Sequence, residues 1–173
     1  MLSNDPQVLV STSWLLKHLT DPDLRIIDAS WYLPKMKRDG FKEYEEKHIP
    51  GARFFDIDEI CDLQSNLPHM VPTSQKFISR MKALGIGDGH QIVVYDGYGL
   101  FSAARVWWMF RLFGKKNVAV LDGGLPKWLS ENHPIDNNLD LVAFGNFHPW
   151  RSLLLNPLLK FRLKFYGVTP PKW

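Results

Sequence analysis

The sequence predicts an α/β fold with a central parallel five-stranded sheet and helices on both faces. Three observations predict it. Short apolar, β-branched runs alternate along the chain with segments of helical spacing, the pattern of consecutive β-α-β units. The 173 residues, 45 % of them hydrophobic, suffice for one substantial core and little more. A glycine-bearing loop, Asp96-Gly97-Tyr98-Gly99, leaves an apolar strand and opens a strongly apolar helical run.

The elements follow in order. Residues 7–10 form the first expected strand, after which Ser11 or Thr12 caps a short helix around 14–19 that the Asp21-Pro22-Asp23 turn ends. Residues 24–29 are the second strand, and 41–47 have the spacing of a short helix that stops at His48-Ile49-Pro50-Gly51. The third strand covers 52–56. Thr73 or Ser74 opens a helix over 75–84, whose Phe77, Ile78, Met81 and Leu84 form one apolar stripe closed by Gly85. Residues 91–96 are the fourth strand. The helix over 101–113 is apolar almost all round, which predicts burial against the sheet. The fifth strand, 117–122, leads into a helix over 125–129 with Pro126 in its first turn, where a missing N–H costs nothing. No internal repeat or low-complexity stretch interrupts this order.

Charge and cysteine content narrow the classes of function. The net charge is +3, but residues 141–173 hold Arg151, Lys160, Arg162, Lys164 and Lys172 and no acid, so residues 1–140 are left at −2. The main domain therefore has no basic face of the kind that nucleic acid needs. A single cysteine, Cys61, excludes an internal disulfide framework and fits a reducing compartment or indifference to redox. No 18-residue apolar run exists, and the first seven residues read neither as a signal peptide nor as an Arg-rich transit peptide. The expectation is a cytoplasmic protein with no metal and no cofactor, and with peripheral membrane association through the basic, apolar C-terminal segment as the weaker alternative.

Four motifs then make the fold specific. Tyr44-Glu45-Glu46-Lys47-His48-Ile49-Pro50-Gly51-Ala52-Arg53-Phe54-Phe55 resembles the N-terminal signature of the rhodanese family, and Val120-Leu121-Asp122-Gly123-Gly124-Leu125-Pro126-Lys127-Trp128 resembles its second signature. Asp28-Ala29-Ser30-Trp31-Tyr32 and Arg105-Val106-Trp107-Trp108-Met109-Phe110-Arg111 are similar to the first domain of the two-domain thiosulfate and 3-mercaptopyruvate sulfurtransferases. The resemblance runs from about Val8 to Asp136 and implies a rhodanese-like domain over residues 1–137.

That resemblance implies sulfane-sulfur transfer, in which a cysteine of the second domain attacks the donor, holds sulfur as a persulfide and passes it to a thiol or cyanide. The reaction requires a low-pKa thiolate, favoured where backbone N–H groups and a helix N-terminus converge. The loop after the fourth strand is the family's cradle for it. Here the cradle contains Asp96. A carboxylate is a poor sulfur nucleophile and cannot form a persulfide, so the expected catalytic residue set of this chain is empty, as in first domains of the family. Cys61 lies among Asp56, Asp58, Glu59 and Asp62, where carboxylates raise a thiol pKa. It is expected to be a small buried hydrophobe rather than a substitute nucleophile.

The resemblance also implies accessory roles. Asp58 and His69, eleven positions apart, match the segment from which mercaptopyruvate sulfurtransferases supply an acid and a histidine to a composite pocket, and such a pair can relay a proton or orient a carboxylate. The alternative for His69 is a solvated loop residue between Pro68 and Pro72. Trp31 and Phe101 take the places of the aromatic wall facing the partner domain, with ordinary core packing as the alternative. His48 is expected to donate a ring hydrogen bond to a backbone carbonyl. Arg105 is expected to pair with a carboxylate or to cap carbonyls.

After Asp136 the resemblance stops. A second rhodanese-like domain ending in a Cys-Gly-Ser-Gly type loop is the missing partner, and residues 138–173 read instead as a linker remnant and a basic, apolar tail in which Lys160-Phe161-Arg162-Leu163-Lys164-Phe165 alternates cation and apolar side chain. The tail is expected to be the product of truncation or a change of reading frame. A second reading of the whole chain is a rhodanese-like protein-binding module with no enzymatic role.

Overall fold

The structure, a computed structural model, describes residues 8–138. The expected tail over 138–173 therefore lies outside the described residues save for Asn138, as does the start of the first strand. The elements alternate as expected: β1 (Leu9–Val10), α1 (Thr12–His18), β2 (Leu24–Asp28), α2 (Gly40–Glu46), β3 (Ala52–Phe54), α3 (Ser74–Ala83), β4 (Gln91–Tyr95), α4 (Ala103–Leu112), β5 (Val118–Leu121) and α5 (Gly124–Ser130). All five strands pair in parallel in the order β1-β5-β4-β2-β3. A short 3-10 turn, Pro34–Met36, is an addition to the expected elements; Pro34 presets its first residue and Lys37 closes it at φ 52°.

Each strand sends alternate residues to opposite faces, which separates two cores. Ile27, Ile92, Val94, Val118 and Val120 meet Phe77 and Met81 of α3 and Val106, Met109 and Phe110 of α4. Leu24, Ile26, Val93, Ala119 and Leu121 meet Leu15 of α1, Tyr44 of α2 and Leu125 and Trp128 of α5. Both faces being covered explains why the strands read as continuous apolar runs rather than as alternation.

Element ends follow local hydrogen bonding. Ser11, rather than Thr12, caps α1, its hydroxyl accepting from Trp14 N at 3.1 Å, and Thr73 caps α3 in the same way through Lys76 N at 3.3 Å. β3 ends at Phe54, two residues short of the expectation, because the Asp56 carboxylate accepts from Asp58 N at 2.9 Å and Glu59 N at 3.0 Å and turns the chain. His48 Nδ1 bonds Tyr44 O at 2.7 Å and its ring stacks on Tyr44 at 4.3 Å, the expected fixing of the turn into β3. Beyond α5 the chain returns to that turn, where His48 and Asp136 exchange both backbone bonds at 2.8 Å.

The β5–α5 turn needs glycine. Gly124 has φ 54°, and a Cβ there would lie 2.6 Å from Asp96 O and 3.0 Å from Gly99 Cα, both backbone. Left-handed backbone and a clash with main-chain atoms combine, so Gly124→Ala is expected to destabilise by about 3 kcal/mol. A lower urea midpoint at unchanged m-value checks this.

Candidate functional site

The C-terminal ends of the central strands carry the expected site. Asp96 follows β4 and is 1 % exposed. Its Oδ1 accepts from Tyr98 N at 2.9 Å and Gly99 N at 2.8 Å, and its Oδ2 from Phe101 N at 2.7 Å and Ala103 N at 2.9 Å. Four amides thus converge on one carboxylate, the geometry of an anion cradle at a helix N-terminus. Ser102, the residue preceding α4, makes no side-chain capping bond. Asp96 takes that role from seven residues upstream, through Ala103. The cradle is filled by the chain itself.

Two further contacts hold the cradle loop. Ser30 Oγ accepts from Gly97 N at 2.9 Å, tying the loop to the end of β2. Arg38 packs over the Tyr32 ring, its Cζ 3.9 Å from the centroid, makes paired bonds of 2.7 Å to Glu43, and reaches Gly97 O at 3.3 Å. The Glu43 hydrogen bonds raise the Arg38 guanidinium above its ordinary value and hold the Glu43 carboxyl below its own. Arg38 is exposed and Glu43 half-buried, so water still screens the pair and its worth lies in position more than in stability.

A second group assembles beside the cradle. His69 Nε2 lies 3.2 Å from Asp58 Oδ1, and the Trp31 indole Nε1 donates to both Asp58 oxygens at 3.0 and 3.1 Å. The Trp31 and His69 rings meet edge to face at 4.9 Å, while Phe101 stacks on Trp31 at 6.5 Å. The expected accessory residues Asp58 and His69 and the expected wall residues Trp31 and Phe101 therefore converge. Asp96, expected at the position of the missing nucleophile, does not join them, because its side chain is enclosed by its own loop. With Nε2 on the carboxylate, Nδ1 is the His69 nitrogen left for a ligand.

The His69 backbone sits in the left-handed region at φ 56°, which costs a non-glycine residue roughly 1–2 kcal/mol. Arg105, on the first turn of α4, donates from Nη2 to His69 O, and Met70 O accepts from Asp62 N at 2.8 Å. These bonds offset the strain and hold the ring against Asp58. Arg105 thus takes the expected role of capping a carbonyl, and that carbonyl belongs to the accessory histidine. Its Nε is buried and unpartnered among the described residues.

Cys61 is 5 % exposed and its Sγ donates to Asp58 O at 2.9 Å. Burial pushes the thiol up, opposed by Lys76, so the enclosing core more than the neighbouring carboxylates disfavours the thiolate. Phe101, by contrast, is not core. It is 42 % exposed and, with Tyr98 and Leu100, forms an open apolar rim on the cradle loop. The described residues contain no group of three or more His, Cys, Asp or Glu able to hold a metal ion, and no helix long and apolar enough to cross a membrane.

Sequence reasoning missed the long-range bonds: Trp31 to Asp58, Arg105 to His69, and Arg38 to the cradle loop. No local pattern encodes them. The buried carboxyl of Asp28 was readable only as part of a motif.

Comparison with known proteins supplies the setting for this geometry. Residues 11–131 match the model of the Rhodanese-like domain. The chain is 52 % identical over 130 residues to thiosulfate/3-mercaptopyruvate sulfurtransferase 1, mitochondrial, of Arabidopsis thaliana, covering 75 % of this chain and 34 % of that protein. It is 47 % identical over 147 residues to the 3-mercaptopyruvate sulfurtransferase of Homo sapiens, covering 82 % of this chain and 50 % of the human one. The crystal structure of SseA, a 3-mercaptopyruvate sulfotransferase of Escherichia coli, superposes with a TM-score of 0.79 at 39 % identity, over 83 % of this chain and 55 % of SseA. This chain spans between a third and about half of the length of these relatives.

Proposed function

Because the chain belongs to the rhodanese-like domain family, we propose that it is the non-catalytic, N-terminal half of a two-domain sulfurtransferase that moves sulfane sulfur from 3-mercaptopyruvate or thiosulfate to a thiol or cyanide. One observation carries this reading: the cradle that would activate a thiolate is saturated by Asp96 through four amide bonds. No group in the cradle can carry sulfur. The nucleophile is assigned to a second rhodanese-like domain bearing the reactive cysteine, and this chain alone is inert.

What the half contributes is the Asp58–His69 pair, set in the wall formed by Trp31 and Phe101. When the partner's thiolate takes sulfur from 3-mercaptopyruvate, the carbon–sulfur bond breaks and the pyruvate enolate left behind takes a proton. A histidine paired with a carboxylate is suited to deliver it or to orient the substrate carboxylate. The open rim of Tyr98, Leu100 and Phe101 is the surface against which the second domain packs. Cytoplasmic residence belongs to the same proposal and rests on the single, unpaired cysteine.

The purified 173-residue chain, offered either donor with cyanide or a dithiol, is expected to form no thiocyanate or sulfide above the level of its Cys61→Ser variant. Turnover abolished by Cys61→Ser would overturn the proposal. The same apolar rim favours a second reading, a binding module without enzymatic role. A stable protein complex lost on Phe101→Ser, in a chain that gives no activity when combined with a cysteine-bearing second domain, would establish that reading instead.

A further inference from the structure

The Asp58–His69 pair stands on a long connection with no regular element of its own: between the end of β3 at Phe54 and the start of α3 at Ser74 the chain forms neither helix nor strand. The Asp58 backbone is fixed within that loop, its amide donating to Asp56 Oδ1 at 2.9 Å and its carbonyl accepting from Cys61 Sγ at 2.9 Å. Its side chain is not, being 66 % exposed. An exposed carboxylate facing an imidazole is worth little by itself, because water competes for both groups. What keeps Oδ1 at 3.2 Å from His69 Nε2 has to come from outside the loop.

Trp31 supplies it. Among the described residues, the Trp31 indole N–H and His69 are the only side-chain groups that reach the Asp58 carboxylate, and the indole does so at 3.0 Å to Oδ1 and 3.1 Å to Oδ2. One N–H set between two oxygens fixes the plane of the carboxylate, which a bond to a single oxygen leaves free to turn. The Trp31 ring also meets the His69 ring edge to face at 4.9 Å, so indole, carboxylate and imidazole close a triangle.

The scaffold holds Trp31 in turn. Ala29 N donates to Tyr95 O at 2.8 Å, carrying the β2–β4 pairing one residue further, and Trp31 N donates to Ser102 Oγ at 3.2 Å. Ser102 is 6 % exposed, and its hydroxyl, which caps nothing on α4, is engaged here instead. The placement of the sheet and of α4 thus passes through Trp31 to a carboxylate on an irregular loop.

We propose that Trp31 is a positioning residue for the pair: its indole N–H holds the Asp58 carboxylate on His69 Nε2, a role separable from its ring's place in the apolar wall. The consequence for catalysis rests on the sulfur-transfer reading; the bond and its hold on His69 do not. A carboxylate on Nε2 keeps the imidazole proton there and leaves Nδ1 as the free nitrogen. Released from the indole, Asp58 turns toward water and that preference is lost.

Two substitutions read the bond from its two ends in the full 173-residue chain. Asp58→Ala is expected to move the NMR signal of the Trp31 indole N–H and to speed its exchange with water. Trp31→Phe keeps an aromatic face for His69 and Phe101 and removes the donor. At alkaline pH, where a histidine ring is neutral, the His69 ring nitrogens are expected to report the Nε2–H tautomer in the parent and a mixture of tautomers in Trp31→Phe. Adding Trp31→Phe to Asp58→Ala is expected to change that balance no further. An indole signal indifferent to Asp58→Ala, or a tautomer balance indifferent to Trp31→Phe, sinks the proposal.

In a fusion of this chain to the cysteine-bearing half of a relative, Trp31→Phe is expected to lower kcat/KM for 3-mercaptopyruvate about tenfold, the scale of one hydrogen bond to a charged group. The loss should fall on whichever of kcat and KM His69→Gln alters, and should vanish once Asp58 is replaced by Ala. A residue that serves only as wall lowers kcat/KM by the same factor in both backgrounds, and that result would overturn the proposal. A parent fusion without activity would tell against the sulfur-transfer reading instead, and the tautomer balance would still decide the role of Trp31.

Discussion

Asp96→Ala is expected to lower the stability of the domain by about 4 kcal/mol, the largest effect of any single side chain at the site. The substitution strands the amides of Tyr98, Gly99, Phe101 and Ala103, all of which now end on the carboxylate. A buried donor left without a partner costs about 1–3 kcal/mol, and water entering the vacated space recovers part of the total. The loss is comparable to the whole stability of many domains, about 5–15 kcal/mol. Asp96→Asn keeps one oxygen but sets an N–H₂ against two backbone donors, so about half of the loss is expected. The measurement is chemical unfolding of the three proteins, in which an unchanged slope and a falling midpoint report stability alone. An alanine variant as stable as the parent would mean that the four amides find other partners, and the filled-cradle account would fail with it.

The second large effect concerns chemistry and needs a composite enzyme. In a fusion of this chain to the cysteine-bearing half of a relative, His69→Gln and Asp58→Asn are each expected to lower kcat/KM for 3-mercaptopyruvate by about 100-fold, the usual scale of general acid–base assistance. The double variant is expected to be little worse than either single one, because the two side chains act as a unit. A loss confined to KM would assign the pair to substrate orientation, and a loss in kcat with an altered pH profile between 5 and 8 to proton delivery. Parental activity in both variants would remove the pair from the mechanism.

Much of this arrangement was legible in the residues before any coordinates. Strand and helix order followed from apolar runs and from punctuation by Gly85, Pro126 and the Ser11 and Thr73 caps, all local signals. The presence of a carboxylate, Asp96, in the loop after β4 was legible too, since it depends on the identity of one residue in one loop. What stayed hidden is what depends on distance in space. That Arg105 would find the carbonyl of His69, 36 residues away, and that Trp31 would bind Asp58, 27 away, is set by the order β1-β5-β4-β2-β3, which brings the loops after β2, β3 and β4 to one end of the sheet. The cause of the Cys61 pKa shift was hidden for the same reason. Its acidic neighbours are plain in the sequence, while the burial that outweighs them appears only on folding.

The four-fold grip on Asp96 bears on how two halves could meet. Tyr98, Leu100 and Phe101 stand on a loop in which the amides of Gly97, Tyr98, Gly99 and Phe101 are already bonded, so the apolar rim is stiff before any neighbour arrives. Association against a mobile loop forfeits rotamer and backbone freedom, at about 0.5–1.5 kcal/mol per side chain immobilised. A surface rigid in advance avoids most of that loss, and in the proposed two-domain reading the internal carboxylate that keeps the rim in shape serves as a constant, non-covalent splint for recognition.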